Sequence, residues 1–420
     1  MAFIQDAVPF ENLIKDARQY ADYGFNLARH ATFSLERNLQ SPKPDSFRSP
    51  GYPLLIALSI LASGDRGFYP LMLHVQAVLG ALMVPLTFFL SRRFMPSWAS
   101  LTAAGLIAIC PHLIVMTSYL LTETLFGFLL LSALVCFQTA FAKREIHLFY
   151  LCGVLFGSAF LVNETVLFLP LLLAGLSIGY HYRRREFRSI RQYCVFLGVF
   201  LLFPLAWNLR SYLTVPPDAP KASDRAVVTL SHGAYPDFIY KDPRFFRFPY
   251  REDPLQPAFG ASFKNFRRIL WERVKQRPFA YLKWYLCGKP YSFWHWDIIQ
   301  GQGDIYIYAM ATSLYQRSVA ADLTRIAMKR LHPLLLILAL SGLFHIIATG
   351  WRRENLFLSM PVFLFAGLIY FTFLYMIFAP WPRYSLPLRP ELYAAALWSL
   401  HSIETYLRRK GDHERSWIFS

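Results

Sequence analysis

The sequence is short of charge. Only 16% of its 420 residues are charged, against about 25% in an ordinary soluble protein. This deficit excludes a disordered polyelectrolyte, since hydrophobic residues make up 55% of the chain. Cysteine is scarce as well, and the five cysteines show neither a disulfide framework nor the spacing of a zinc site. The shortage of charge indicates that much of the chain is dissolved in lipid.

Long uncharged runs take up much of the sequence instead. Each matches or nearly matches the roughly 20 residues that a helix needs to cross a bilayer, and they cover 67–91, 94–122, 124–142, 146–163, 165–182, 192–209, 331–351 and 355–382. A weaker candidate at 385–407 is interrupted by Glu391 and Glu404. We therefore predict an all-α polytopic membrane protein with about nine transmembrane helices and a mixed extracytoplasmic loop domain.

The basic residues between these runs predict the orientation. If the nine spans are real, one face receives Arg92, Arg93, Lys143, Arg144, Arg183, Arg184, Arg185, Arg188, Arg191, Arg352, Arg353, Arg408, Arg409, Lys410 and Arg415. By the positive-inside rule that face is cytoplasmic. The predicted order is an external N-terminal loop (1–68), six transmembrane helices (69–209), a large external loop domain (210–330), three transmembrane helices (331–407) and a cytoplasmic tail (408–420).

The external N-terminal loop combines an amphipathic helix with an apolar stretch from Tyr52 to Ser63. About a dozen residues are too few to span a bilayer, so this stretch is interpreted as re-entrant or interfacial. Residues 1–50 contain neither a signal sequence nor a span that would carry them outside. We therefore expect a first transmembrane helix to be missing upstream of this chain.

The large external loop domain is basic, with 19 lysines and arginines against 10 acidic residues. This excess favours an anionic ligand or lipid headgroups over nucleic acid. Prolines in the run 235–254 predict turns and extended chain there. The periodic pattern at 262–287 predicts a helix, either lying on anionic headgroups or packed as a solvated helix on the rest of the loop.

Short motifs follow one another on the predicted outer face. Asp16-x-x-x-Tyr20 comes first, followed by Asn26-Leu27, Phe33-Ser34, RSPGYP (48–53), LTETLF (121–126), PLAWNLRSY (204–212) and PRYSLPLRPEL (382–392). In this order they resemble the polyprenyl-phosphate-sugar-dependent glycosyltransferases of the GT-C superfamily. The similar branch, family 39-like, contains protein O-mannosyltransferases and the lipid A aminoarabinose transferase.

The resemblance implies an inverting transfer of a hexosyl or pentosyl group from a polyprenyl-phosphate donor to a lipid, glycan or protein acceptor. It maps Asp16 to the family's catalytic aspartate, which would act as general base on the acceptor hydroxyl. It also implies a bacterial inner membrane with the active site outside. The substrate-binding candidates lie at predicted outer boundaries and are Tyr20, Arg48, Tyr52, Glu123, Arg210, Arg383 and Tyr384.

Each candidate has a plainer interpretation. A carboxylate such as Asp16 can be a solvated helix residue, an arginine at a boundary can snorkel, and an interfacial tyrosine can be an anchor. A lipid or glycan transporter or flippase has similar hydropathy, and an inactive truncated relative is a further alternative. No residue cluster demands a cofactor, and a divalent metal is left open. Membrane lipids are expected partners, and nucleic acid is not.

Overall fold

The computed structural model describes residues 8–37, 40–310, 312–350 and 360–418. Regular structure within these ranges is helical, without a β-strand. The all-α prediction is therefore confirmed. The helices are α1 Lys15–His30, α2 Gly51–Ser91, α3 Ser97–Ala108, α4 Pro111–Met116, α5 Glu123–Lys143, α6 Ile146–Val162, α7 Leu169–Arg183, α8 Phe187–Thr214, α9 Ala222–Gly233, α10 Pro249–Glu252, α11 Gln256–Phe259, α12 Phe263–Gln276, α13 Pro278–Lys283, α14 Lys289–Trp294, α15 Leu314–Arg317, α16 Val319–Gly350, α17 Met360–Ile377 and α18 Arg389–Ile418.

Several of these helices have the length and apolar composition of membrane spans. The long ones are Gly51–Ser91, Glu123–Lys143, Glu164–Arg183, Ser189–Thr214 and Val319–Ala348, and shorter apolar helices are Ser97–Ala108, Ile146–Val162 and Pro361–Ile377. In the first, fourth and fifth of the long spans, most residues of the apolar stretch are not buried by protein, as expected for surfaces that face lipid. The chain is an integral membrane protein. Arg352 and Arg353 of the predicted cytoplasmic face lie outside the described residues.

The predicted span at 94–122 is wrong as a single helix. α3 ends at Ala108, and α4 covers only Pro111–Met116 before the chain turns back toward α5. Pro111 has no backbone N–H and forces Cys110 out of the helical region, to φ −67° and ψ 110°. The break carries residues 117–122 to the start of α5, where Glu123 lies in the first turn.

The helix α2 is bent at Gly64. This residue has φ 71° and ψ 175°, a conformation that glycine adopts much more readily than residues with a Cβ. The bend separates the predicted apolar stretch Tyr52–Ser63, which is helical, from the longer run that follows it. The re-entrant or interfacial position of this arm stays a prediction.

The short helix α1 packs closely on that arm. A Cβ on Gly24 would lie 2.3 Å from Cγ2 of Ile56, so only glycine permits this approach. The ring of Tyr20 meets that of Tyr52 edge-on, with centroids 5.3 Å apart. Because α1 is held in this way, its first turn and Asp16 have a defined position beside the start of α2.

The external loop domain consists of short helices and turns that dock on the segment before the last helix. α9, α11 and α12 enclose an apolar cluster that includes Tyr235, Phe259 and Phe266. The proline-rich run contains only single turns, as its prolines predict. Phe238 stacks on Trp381 with centroids 4.1 Å apart. This contact places the loop domain next to the residues that precede α18.

Candidate active site

Asp16 is held between two guanidinium groups. Nη2 of Arg48 donates to Oδ1 of Asp16 at 2.6 Å, and Nη2 of Arg383 donates to Oδ2 at 2.5 Å. The two arginine side chains are each 11% exposed, and the carboxylate is 23% exposed. Three predicted site residues, far apart in the sequence, are therefore brought into direct contact.

The arginines decide the protonation of this carboxylate. Burial alone raises the pKa of Asp16, but the charges and hydrogen bonds of Arg383 and Arg48 outweigh it and hold the pKa below its ordinary value. Asp16 is consequently ionised at neutral pH. Arg48 is fixed in turn by Gln19, whose Oε1 accepts from Nε at 3.0 Å, so it can keep its position if Asp16 exchanges partners.

Glu123 lies on the other side of Arg383. Its Oε1 is 3.8 Å from Nε of Arg383, which is too far for a hydrogen bond. Nε of Arg383 is buried and has no hydrogen-bond partner among the residues described. Such a donor costs free energy unless a ligand or water meets it. Nε of Arg383 is therefore a donor that a bound molecule or a small movement of Glu123 could satisfy.

The three predicted tyrosines lie at different distances from this centre. The guanidinium of Arg48 lies 5.2 Å from the ring centroid of Tyr20. The guanidinium of Arg383 lies 5.0 Å from the ring centroid of Tyr384. Tyr52 is fully buried and donates its hydroxyl to Gln76 at 2.8 Å. Tyr20 and Tyr384 thus flank the charged groups, whereas the hydroxyl of Tyr52 is engaged in packing α2 on itself.

Arg210 is placed elsewhere. Its guanidinium donates to the carbonyl oxygen of Asp45 at 2.7 Å and to that of Phe33 at 3.4 Å. It also lies 5.0 Å from the ring centroid of Trp207. Arg210 therefore ties the end of α8 to the chain between α1 and α2, and the structure does not bring it to Asp16.

Sequence reasoning missed a second ion pair beside the site. Arg225 of α9 pairs with Glu164, which also accepts a hydrogen bond from the hydroxyl of Ser49. Ser49 directly follows Arg48, so this pair fixes the turn that carries the first guanidinium. The basic character of the external loop was the only signal for Arg225, because no motif distinguishes it from its neighbours.

The solvent side of the site is basic and aromatic. Nζ of Lys15 is 5.5 Å from the ring centroid of Phe248, and the guanidinium of Arg251 is 4.2 Å from it. Burial and the charge of Arg251 lower the pKa of Lys15, although Asp16 opposes the shift. Lys15 also has φ 50°, and a left-handed conformation costs a side-chain-bearing residue roughly 1–2 kcal/mol. Backbone strain of this kind often accompanies functional sites.

The side chains around Asp16 differ from the ligands of a metal centre. In the part of the chain that the structure describes, no group of three His, Cys, Asp or Glu side chains has the arrangement of a metal site. Both oxygens of Asp16 are taken by arginine. These residues therefore suit an anionic ligand better than a cation.

Part of the chain matches a known protein family. A family model described as dolichyl-phosphate-mannose-protein mannosyltransferase matches residues 45–207. The predicted resemblance to GT-C glycosyltransferases is confirmed. The match includes Arg48, Glu123 and the partner Glu164, whereas Asp16 and Arg383 lie outside the matched residues. A search of curated proteins finds no match.

Solved structures of GT-C-type proteins are similar at low identity. ArnT from Cupriavidus metallidurans in the apo state is 11% identical, with a TM-score of 0.39, over 94% of this chain and 74% of that one. The same protein bound to undecaprenyl phosphate is 12% identical, with a TM-score of 0.39, over 96% of this chain and 75% of that one. An oligosaccharyltransferase from Archaeoglobus fulgidus in the apo form is 14% identical, with a TM-score of 0.44, over 98% of this chain and 51% of that one.

Proposed function

We propose that this chain is a membrane glycosyltransferase of the GT-C type, acting on the extracytoplasmic face. It transfers a hexosyl or pentosyl group from a polyprenyl-phosphate donor to an acceptor hydroxyl and inverts the anomeric carbon. The observation that carries the proposal is the position of Asp16 between Arg48 and Arg383. Support for the donor class comes from the similar ArnT, which was solved with undecaprenyl phosphate.

In the proposed reaction, Asp16 accepts the proton of the acceptor hydroxyl while that oxygen attacks the anomeric carbon. The bond from this carbon to the phosphate oxygen breaks, and polyprenyl phosphate leaves with the electron pair. Arg48 and Arg383 stabilise the negative charge that develops on the phosphate, since guanidinium groups bind its oxygens with a planar fork of donors. Their buried position strengthens this interaction.

Donor binding also prepares the base. In the free protein the two guanidinium groups depress the pKa of Asp16, which makes the carboxylate a weak base. A phosphate that shares these arginines draws positive charge away from Asp16 and raises its pKa. The base is therefore most effective when the donor is in place.

The roles of the other predicted residues follow from their positions. Glu123 faces the unpaired Nε of Arg383 and is proposed to orient this arginine or a sugar hydroxyl. Tyr20 and Tyr384 are proposed to flank the sugar and phosphate. These side chains would then recognise the sugar hydroxyls and the phosphate of the donor at the bilayer boundary, where the donor presents its head group.

The test is a donor-consumption assay with purified protein in lipid nanodiscs. Undecaprenyl phosphate carrying radiolabelled mannose, glucose or 4-aminoarabinose is supplied with a membrane extract as the source of acceptors. Release of undecaprenyl phosphate and transfer of label are expected for one of these sugars, and loss of both in Asp16→Asn. Arg408→Gln is the matched control, because Arg408 forms an exposed ion pair with Glu404 within α18 and contacts none of the site residues.

The alternatives give different results in this assay. A transporter or flippase would leave the donor unconsumed in nanodiscs. In a parallel measurement with sealed vesicles, it would move the labelled lipid between the two leaflets. An inactive relative would bind undecaprenyl phosphate without turnover, which native mass spectrometry detects. Unchanged turnover in Asp16→Asn would remove Asp16 from the mechanism.

A further inference from the structure

The segment Pro278–Trp294 has two unlike faces. It runs through α13, one π-turn at Trp284–Gly288 and α14 without leaving helical geometry. Trp284, Lys289 and Phe293 are buried. The opposite side presents large apolar side chains to the surroundings. A face of this kind on an external loop calls for a partner.

The buried face fixes the segment against the end of α17. Nζ of Lys289 donates to the carbonyl oxygens of Ile377 at 3.1 Å and Phe378 at 3.0 Å. These are orphan acceptors at the C-terminus of the helix. The ring of Phe293 stacks on that of Tyr375, with centroids 4.8 Å apart. The segment and the outer end of α17 are therefore held as one body.

The depth of the segment follows from its last contact. Nε1 of Trp294 donates to Oγ1 of Thr372 at 3.0 Å. Thr372 precedes Ile377 by five residues, which is about 7.5 Å along a helix. Because α17 is an apolar helix predicted to cross the bilayer, the C-terminal end of the segment lies below the outer end of this helix. That level belongs to the outer leaflet.

The exposed face is a continuous apolar stripe. Phe279 is 81% exposed, Leu282 57%, Leu286 58% and Tyr291 69%. Spacings of three and four residues place Phe279, Leu282 and Leu286 on one side of the helix, and Tyr291 follows after the π-turn. Exposed basic residues flank this stripe on α12 and α13, namely Lys264, Arg267, Arg268, Lys275, Arg277 and Lys283.

We propose that the apolar stripe of Pro278–Trp294 inserts into the outer leaflet and that the flanking basic residues bind anionic phospholipid headgroups. The depth inferred from the contact between Trp294 and Thr372 favours lipid over a partner protein, since the segment runs back along α17. The basic residues give the charge complementarity, because exposed Glu272 is the only acidic residue between 264 and 283. Apolar burial and electrostatic attraction add in such interfacial helices.

This interaction reaches the candidate site through packing. Trp284 contacts Phe238 edge-on at 5.2 Å, and Phe238 stacks on Trp381, two residues before Arg383. Lipid that seats the segment therefore also steadies the chain that carries this guanidinium. The proposal itself depends on the membrane position alone and not on the proposed transferase activity.

The native thiol of Cys287 provides a probe within the face. Cys287 is exposed, as is Cys194, whereas Cys110, Cys136 and Cys152 are buried. In Cys194→Ser protein, a nitroxide on Cys287 is compared in nanodiscs of phosphatidylcholine and of phosphatidylcholine with phosphatidylglycerol. Collision with oxygen, which concentrates in lipid, and with a water-soluble nickel chelate is measured by electron paramagnetic resonance. The matched control carries Cys287→Ser and Glu272→Cys, which moves the label to an exposed polar position of α12.

We expect the label at Cys287 to collide several-fold more often with oxygen than with the nickel chelate, and the control label to show the opposite preference. Phosphatidylglycerol should increase the depth of the label on Cys287 in the bilayer. The triple variant Lys264→Gln, Arg267→Gln and Arg268→Gln should remove this increase. Equal nickel access at both positions in both lipids overturns the proposal. Protection of Cys287 from both reagents, with a dimer in light scattering, overturns it in favour of a protein partner.

Discussion

Two aspartates of this protein are each paired with arginine, but in opposite settings. Asp253 in the external loop domain is fully buried and accepts from Tyr235 at 2.5 Å and from the N–H of Leu255 at 3.0 Å, besides pairing with Arg273. All of these partners come from one stretch of about 40 residues. Asp16 takes its two arginines from positions 32 and 367 residues away and remains partly exposed.

The difference separates a structural charge from a functional one. The acceptors of Asp253 are met from every side, and its pKa is held below the ordinary value by Tyr235 and Arg273 in spite of burial. At Asp16 the neighbouring Arg383 keeps a buried N–H without a partner among the described residues. A closed network supports stability, whereas an incomplete one leaves a donor that a ligand can meet.

The largest expected effect is loss of transfer in Asp16→Asn. General-base assistance contributes about 10² to 10⁴ in rate, so the turnover number should fall by at least 100-fold. The amide keeps the shape of the carboxylate but weakens its two bonds to arginine, so the melting temperature should fall. It should fall less than in Asp253→Asn, because Asp16 is partly exposed whereas Asp253 is fully buried. The comparison would fail if Asp16→Asn unfolded the protein as readily as a change at Asp253.

Replacing Arg383 by glutamine should come next. Removal of one donor that stabilises a developing oxyanion costs about 10² to 10³ in rate. The variant should also bind undecaprenyl phosphate more weakly, which a titration followed by native mass spectrometry measures. Arg210→Gln is the contrast within the same chain. We expect it to reduce stability without changing phosphate binding, because Arg210 bonds only to backbone carbonyls and aromatic rings.

Asp253→Asn should affect stability instead of rate. The substitution weakens charge-assisted hydrogen bonds to Tyr235 and Arg273, each worth about 1.5–3 kcal/mol. Unfolding of the external loop domain should therefore occur at a lower temperature, as followed by tryptophan fluorescence. The turnover number of the protein that remains folded should stay close to that of the wild type. A catalytic defect without a stability defect would contradict the assignment of this cluster.

The pH dependence of the free protein should distinguish the two regions further. Arg383 and Arg48 lower the pKa of Asp16 below 3.8, so this carboxylate stays ionised down to acidic pH. The ratio kcat/KM should therefore show no loss from protonation of Asp16 between pH 7 and pH 5. The acidic fall in kcat should occur at a higher pH than the acidic fall in kcat/KM. The reason is that the bound phosphate shares the arginines and so raises the pKa of Asp16.

A smaller effect is expected at His232, which stacks on Tyr250 with centroids 3.7 Å apart. Burial lowers the pKa of His232 from 6.5 to about 4. The unfolded chain then binds more protons than the folded one between these values, so stability is complete above pH 6.5 and declines toward pH 4. In His232→Phe this part of the pH dependence of the melting temperature should disappear. An unchanged slope would mean that other groups cause it.

The features that were predictable from sequence are those that local chemistry determines. Runs without charge indicate membrane helices because a buried charge in lipid is costly. The arginines at positions 48 and 383 were identified through the motifs around them. By contrast, the break at Cys110 was not predicted, although Pro111 was visible, because a proline inside a span is often accommodated as a kink.

Contacts between distant parts of the chain were the least predictable. The pairing of Arg225 with Glu164 depends on how the external loop domain folds back over α6, and no periodic pattern encodes that distance. Arg210 shows the converse. Its place at the end of α8, within a motif, suggested a ligand role, but nearby carbonyl oxygens take up its donors.

The bend at Gly64 has a mechanical meaning for this protein. Nothing lies within 4 Å of a Cβ built at this residue, so backbone preference alone, and not crowding, demands glycine there. An alanine at this position would fit spatially but would favour a continuous, unbent helix. It would therefore displace residues 52–63, on which α1 with Tyr20 packs. The alignment of the reactive groups is thus governed by a joint more than a dozen residues away from any of them.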